Sequence, residues 1–155
     1  MKLRMLSLLI LLGLAVAGCG AEAPTATPVP LPAASGGGGH ITVQHILIGF
    51  KGSVPGKNIT RTQEQARTLA YQLLDQAKAG ADFDKLVQDN TDDAPPGIYA
   101  MADTGVAPAQ GEYPREGMVP AFGNVGFTLQ PGQIGIADYD PTTSPYGYHI
   151  IKRLR

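Results

Sequence analysis

Two of the three histidines in this chain lie inside its most strand-like stretches, His45 in "VQHILIGF" and His149 in "YGYHIIKRLR". A neutral imidazole has one N–H donor and one bare nitrogen acceptor, and either is costly to leave unpaired in an apolar interior. If the first and last strands lie side by side, His45 and His149 can pair with each other and with a third polar group. The result is a polar island within an apolar sheet. The alternative is that each imidazole is separately satisfied and purely structural.

The elements that would position the pair follow from the pattern of the chain. "HITVQHILIGF" (40 to 50) is rich in β-branched residues and apolar on both faces, which predicts a central strand. A loop, "KGSVPGKN" (51 to 58), separates it from a long helix. Thr62 and Gln65 have capping-box spacing at the start of that helix. Ala66, Leu69, Ala70, Leu73, Leu74 and Ala77 recur at three and four residues as one apolar stripe, and Gly80 is a natural stop. Asp82 is the predicted N-cap of a second, short helix with Phe83, Leu86 and Val87 pointing inward. Residues 91 to 117 are loop-rich, with a short strand near Ile98 to Met101. "MVPAFGNVGFTL" (118 to 129) reads as a short helix or turn. After the turn "QPGQ", the segments 134 to 140 and 146 to 155 read as antiparallel strands. This order predicts an α+β fold, an antiparallel sheet with helices against it.

The first 39 residues are of another kind. Residues 1–18 have a short basic head (Lys2, Arg4), an apolar run from Leu6 to Val16 and small residues after it, the form of a secretory signal peptide. The run is shorter than the roughly 20 residues that a membrane-spanning helix needs. Cys19, the only cysteine, follows Val16, Ala17 and Gly18, which resembles a bacterial lipobox. That resemblance implies cleavage before Cys19, lipidation of it, and an extracytoplasmic, lipid-anchored protein. A lone cysteine excludes an intrachain disulfide. Residues 19–39 are dominated by Pro, Ala, Thr and Gly and hold almost no large apolar groups, so they read as a disordered tether. The folded domain is then 40–155. The chain has 12 basic and 13 acidic residues, and the signal segment would remove Lys2 and Arg4. With no basic run, there is no electrostatic case for nucleic acid.

Several pieces stand in a telling order: "HIL" on the first strand, "DF..L" on the second helix, "TDDA", then "GM...F....F.L..GQI", and finally "GYHIIK". The set resembles a parvulin-type peptidyl-prolyl cis/trans isomerase domain, over essentially all of 40 to 155. The resemblance implies an FKBP-like superfold, a four-stranded antiparallel sheet wrapped by helices, with no metal and no cofactor. It aligns His45 and His149 with the family's two strand histidines, and Asp93 with a position held by cysteine or aspartate. Met118 and Phe122 fall on the proline pocket, Phe127 on a further aromatic of its wall, and Tyr146 near a polar position at its rim. The implied partners are unfolded or newly exported polypeptides containing Xaa-Pro.

These residue types suit the reaction. Rotation about a prolyl bond must overcome amide resonance, a barrier of roughly 18–20 kcal/mol, and no bond need break. An apolar slot for the ring and a field favouring the twisted amide are what help. Asp93 beside two imidazoles could set that field, and an aspartate is a poor nucleophile, so non-covalent catalysis is expected. His45, His149 and Asp93 also have the ligand types of a zinc site, but their spacing matches no ligand motif.

The chain departs from the family after "TDDA". The usual Gly-Gly-Asp-Leu-Gly strand is replaced by "PPGIYAMADTG", where Gly97 stands for the retained glycine, and the path to Met118 is long. A catalytically weak peptide-binding chaperone of the same fold is therefore the alternative. The loop after the first strand holds only Lys51 and Lys57 and no arginine, which predicts no preference for a phosphorylated residue before proline.

Overall fold

The strand that carries His45 is the axis of the fold. The structure is a computed structural model, and it describes residues 39–155. The signal segment, Cys19 and the tether up to residue 38 lie outside the described residues. Among the described residues, no helix is long and apolar enough to cross a membrane.

Strand β1 spans His40–Ile48, and every residue in it after His40 is buried. It is flanked on both sides, which is why its apolar positions do not alternate with solvent-facing ones. On one side it pairs antiparallel with β2, Ile98–Ala102. On the other it pairs antiparallel with β5, Tyr148–Arg153, which in turn pairs with β4, Ile134–Ala137. A two-residue strand β3, Tyr113–Pro114, runs parallel to β2, giving the order β3-β2-β1-β5-β4. The expected four-stranded antiparallel sheet is thus corrected to a five-stranded mixed one. The long segment after β2 returns alongside it, and a connection of that length can bring a strand back in parallel.

Helix α1, Gln63–Lys78, starts at a complete capping box: Thr62 Oγ1 accepts from Gln65 N–H and Gln65 Oε1 accepts from Thr62 N–H. Gly80 follows its end with φ +93°. Helix α2, Phe83–Asn90, is capped by Asp82, which accepts from Lys85 N–H. Helix α3, Pro120–Thr128, has proline at its first position, where no N–H is needed. A 3-10 turn, Arg115–Gly117, precedes it.

The alternation of β1 and β5 builds two cores on opposite faces of the sheet. Ile46, Ile48, Tyr148 and Ile150 pack against α1 and α2, meeting Ala66, Ala70, Leu73, Leu74, Ala77, Phe83, Leu86 and Val87. Ile41, Val43 and Ile151 face α3 with Met101, Phe122, Phe127 and Ala137. His45 and His149 belong to this second face by the same alternation.

Candidate active site

The register sets the histidine pair. His45 lies opposite Ile151, and His149 lies opposite Leu47. The two imidazoles are therefore diagonal neighbours on one face of adjacent antiparallel strands, within reach of each other. Their rings stack at 5.3 Å with 13° between planes, and Nδ1 of His45 lies 3.2 Å from Nδ1 of His149. Both residues are only 3% exposed.

The third group comes from the turn after α2, laced to the half of β1 that β2 does not cover. Thr91 Oγ1 accepts from Leu47 N–H, and Asp92 N–H donates to Leu47 O. Asp92 also accepts from Gly49 N–H and forms an ion pair with Arg61. This lacing brings Asp93 Oδ2 to 3.0 Å from His45 Nε2. Gly97, leaving the turn, accepts from His45 N–H through its carbonyl. It has φ +64°, and a Cβ there would stand 2.6 Å from His45 O, so the close approach requires glycine.

The electrostatics follow from these contacts. The hydrogen bond from His45 is the main influence that holds the Asp93 carboxyl well below the usual carboxylate range, against the opposing cost of partial burial; a bond from Tyr99 adds to it. Burial pushes the His149 imidazole down to about 3, helped by His45 and opposed by Asp93. At neutral pH the site therefore holds an ionised carboxylate and a neutral inner histidine. His149 Nε2 is buried with no hydrogen-bond partner.

An apolar cleft of about 320 Å³ adjoins this polar row. Its lining includes Met118, Val119, Phe122 and Tyr146 alongside His45, Asp93 and His149. Phe122 meets His45 edge-on at 5.0 Å and His149 at 5.5 Å, so it joins the apolar and polar parts. Val54 and Pro55 border the cleft from the loop after β1, where Ser53 donates to Tyr146 O at 2.9 Å. Lys51 and Lys57 are exposed in that loop and do not line the cleft. Among the described residues, no group of three His, Cys, Asp or Glu side chains is arranged to hold a metal ion.

The model of the PPIC-type PPIase domain matches residues 33–154. This chain belongs to that family. Its reaction is accordingly peptidyl-prolyl cis/trans isomerisation. Among solved structures, the crystal structure of PrsA from Bacillus subtilis matches with 25% identity and a TM-score of 0.47. The match covers 76% of this chain and 35% of PrsA, so the chain spans about a third of that protein. The solution structure of TbPIN1 shares the fold, with a TM-score of 0.54 and 22% identity, over 76% of this chain and 98% of that one. No curated protein matches the chain.

Within the PPIase domain, His45, Asp93, His149, Met118, Phe122 and Tyr146 converge on one cleft, and Phe127 does not. Phe127 is buried in the α3 core under the Arg115 guanidinium, 4.9 Å from its ring centre, which corrects the expectation that it forms pocket wall. Five residues along an α-helix turn through about 140°, so Phe122 and Phe127 cannot both face the cleft. Tyr99 is the functional neighbour that the sequence reading missed. It lines the cleft, and its hydroxyl donates to Asp93 Oδ2 at 2.7 Å. Strand alternation from the buried Met101 would have placed it on the same face, had the short strand's partner been known. Leu47, Val54 and Pro55 carried no comparable signal.

Proposed function

We propose that the domain binds Xaa-Pro segments of unfolded polypeptides in this cleft and catalyses their isomerisation without a covalent intermediate. The observation that carries this reading is the contiguity of the Asp93–His45–His149 row with the Met118 and Phe122 slot. The slot takes the pyrrolidine ring, and methionine adapts its shape to it. A planar prolyl amide is more polar than a twisted one, with more negative charge on its oxygen. An ionised carboxylate in a partly dry site disfavours that charge and so lowers the cost of twisting. Asp93 acts through its field, with His45 holding it in place.

The absence of Lys and Arg among the cleft residues supports indifference to phosphate. A phosphate would also meet the Asp93 charge. The residue before proline is instead met by an apolar border that includes Leu47, Val54 and Pro55. The sequence of the first 39 residues supports export, a lipid on Cys19 and a tether. On that reading the domain 40–155 works on newly exported chains outside the cytoplasm, held at a membrane.

The test is turnover of a prolyl tetrapeptide in a protease-coupled assay, with the full chain in detergent. Met118→Ala and His149→Ala should each lower kcat/KM by about tenfold or more, as expected for groups that grip or polarise the rotating bond. Wild-type turnover in both variants would reject the site. Phosphorylated and plain peptides should turn over alike, and Lys51→Ala with Lys57→Ala should not alter their ratio. Suppressed client aggregation without faster proline-limited refolding would select the chaperone alternative.

A further inference from the structure

The stretch from Gly97 to Gly117, where the chain departs from the pattern it resembles, includes β2 and a long segment after it, and that segment is tied to the site. It supplies β3, and β3 carries the half-exposed Tyr113. The Tyr113 ring lies 5.9 Å from that of Tyr99, tilted by 53°. Tyr99, on β2, meets His45 edge-on at 5.3 Å and Phe122 edge-on at 5.8 Å. Its hydroxyl donates to Asp93 Oδ2, the oxygen that also faces His45 Nε2. The segment is pinned at several points. Arg115 bonds Asp103 at 2.6 Å and Asn124 of α3 at 2.8 Å, and Glu112 lies 2.7 Å from His40 at the start of β1.

The two bonds to one carboxylate oxygen have a consequence for proton order. An ionised carboxylate only accepts, so Tyr99 O–H and His45 Nε2–H both point at Asp93. With one proton on each ring, His45 then turns a bare Nδ1 toward His149, and His149 gives its Nδ1–H. A single tautomer runs through the row as long as Asp93 keeps its orientation. The Asp93 carboxylate also accepts from the Ala94 backbone N–H, which belongs to the same turn and moves with it. Tyr99 supplies the donor from outside that turn that ties the carboxylate to the sheet, and aromatic packing on both sides holds Tyr99.

We propose that Tyr99 is a positioning residue for prolyl isomerisation: it locks Asp93, and through it the histidine tautomers, while Tyr113 on β3 locks Tyr99. This rests on the reading of the cleft given above. The segment after β2 then supports the catalytic row from behind, through the Tyr113 ring against Tyr99. Tyr99 acts through Asp93, and its ring also borders the cleft, so the hydroxyl and the ring must be tested apart.

Tyr99→Phe keeps the ring and removes the hydroxyl. The full chain, 15N-labelled at histidine, should show one tautomer per ring in the wild type and averaged imidazole nitrogens in the variant. Its kcat should fall about tenfold with KM within about twofold, since the lost bond orders the row without gripping the peptide. The acid limb of kcat should move to higher pH, because Asp93 loses a donor that favours its ionised form. Tyr113→Ala, at a half-exposed position, should give the same changes with a smaller loss of kcat, and it answers the question if Tyr99→Phe does not fold. Wild-type kcat in these variants, or a lower kcat with unchanged imidazole signals, would overturn the proposal. Asp93→Asn separates the two levels: a wild-type turnover there sinks the cleft reading with this one, whereas an inactive Asp93→Asn beside a fully active Tyr99→Phe sinks only this one.

Discussion

The two faces of the central sheet are built from the same strands and do different work. Toward α1 and α2, β1 and β5 present Ile46, Ile48, Tyr148 and Ile150 to an apolar core, with the buried Gln44 at its edge satisfied by Asp84 of α2. Toward α3, the next residues along those strands are His45 and His149, set among Phe122, Met101 and Ile151. One face is filled for stability. The other gives up part of its apolar filling to hold a polar row beside an open cleft. Because a strand alternates sides with a period of two, a single residue step separates these tasks. Function could be placed on one face without loosening the other.

Substitutions that touch one face at a time test this division. The largest effect is expected from Ile150→Ala on the filled face. Ile150 is fully buried, and its truncation should cost about 2–5 kcal/mol in denaturant unfolding. Turnover per folded molecule should stay near wild type, and a matching loss of kcat/KM would show that the faces are coupled. The next effect belongs to the cleft face and depends on pH. The His149 imidazole is lowered by burial from 6.5 to about 3 in the fold, so between those values the unfolded chain binds a proton that the native one does not. Stability is therefore full above about pH 6.5 and declines as pH falls toward 3. The loss between pH 6.5 and 5 should be on the order of 2 kcal/mol. His149→Leu should flatten that slope in urea titrations at the two pH values, and an unchanged slope would mean that His149 is not the group responsible. The depressed Asp93 carboxyl works in the same direction at lower pH, where its protonation removes a native contact. The smallest effect lies away from both histidines. Thr62→Ala removes one half of the α1 capping box and should lower stability by about 1 kcal/mol, with no change in KM or kcat.

Much of this architecture was legible in the chain because it rests on local signals. The capping box at Thr62 and the stripe from Ala66 to Ala77 define α1 on their own, and Asp82 marks α2. Strand β1 reads from its β-branched run, and β5 from "YHIIKR". Their pairing placed His45 and His149 together. The last two strands are shorter than their sequence pattern predicts, since β4 stops at Ala137 and β5 starts at Tyr148. Gly147 explains the second limit: with φ +136°, a Cβ there would come within 2.3 Å of Ile48 O, so the chain turns tightly just before it pairs. The region from Gly97 to Gly117 was the least legible. Two residues of β3 carry no periodicity, and their parallel pairing depends on where a long connection happens to return.

The sequence by itself determined α1, α2 and the two central strands, since these follow from spacing and capping within a few turns of chain, while the order of its motifs resembles a prolyl isomerase and so implies the residues of the site. Only the tertiary structure decided that Phe127 belongs to the core, that Tyr99 reaches Asp93, and that β3 joins the sheet. Those outcomes depend on the angle at which α3 packs and on contacts between segments far apart in the chain, and no local pattern encodes either.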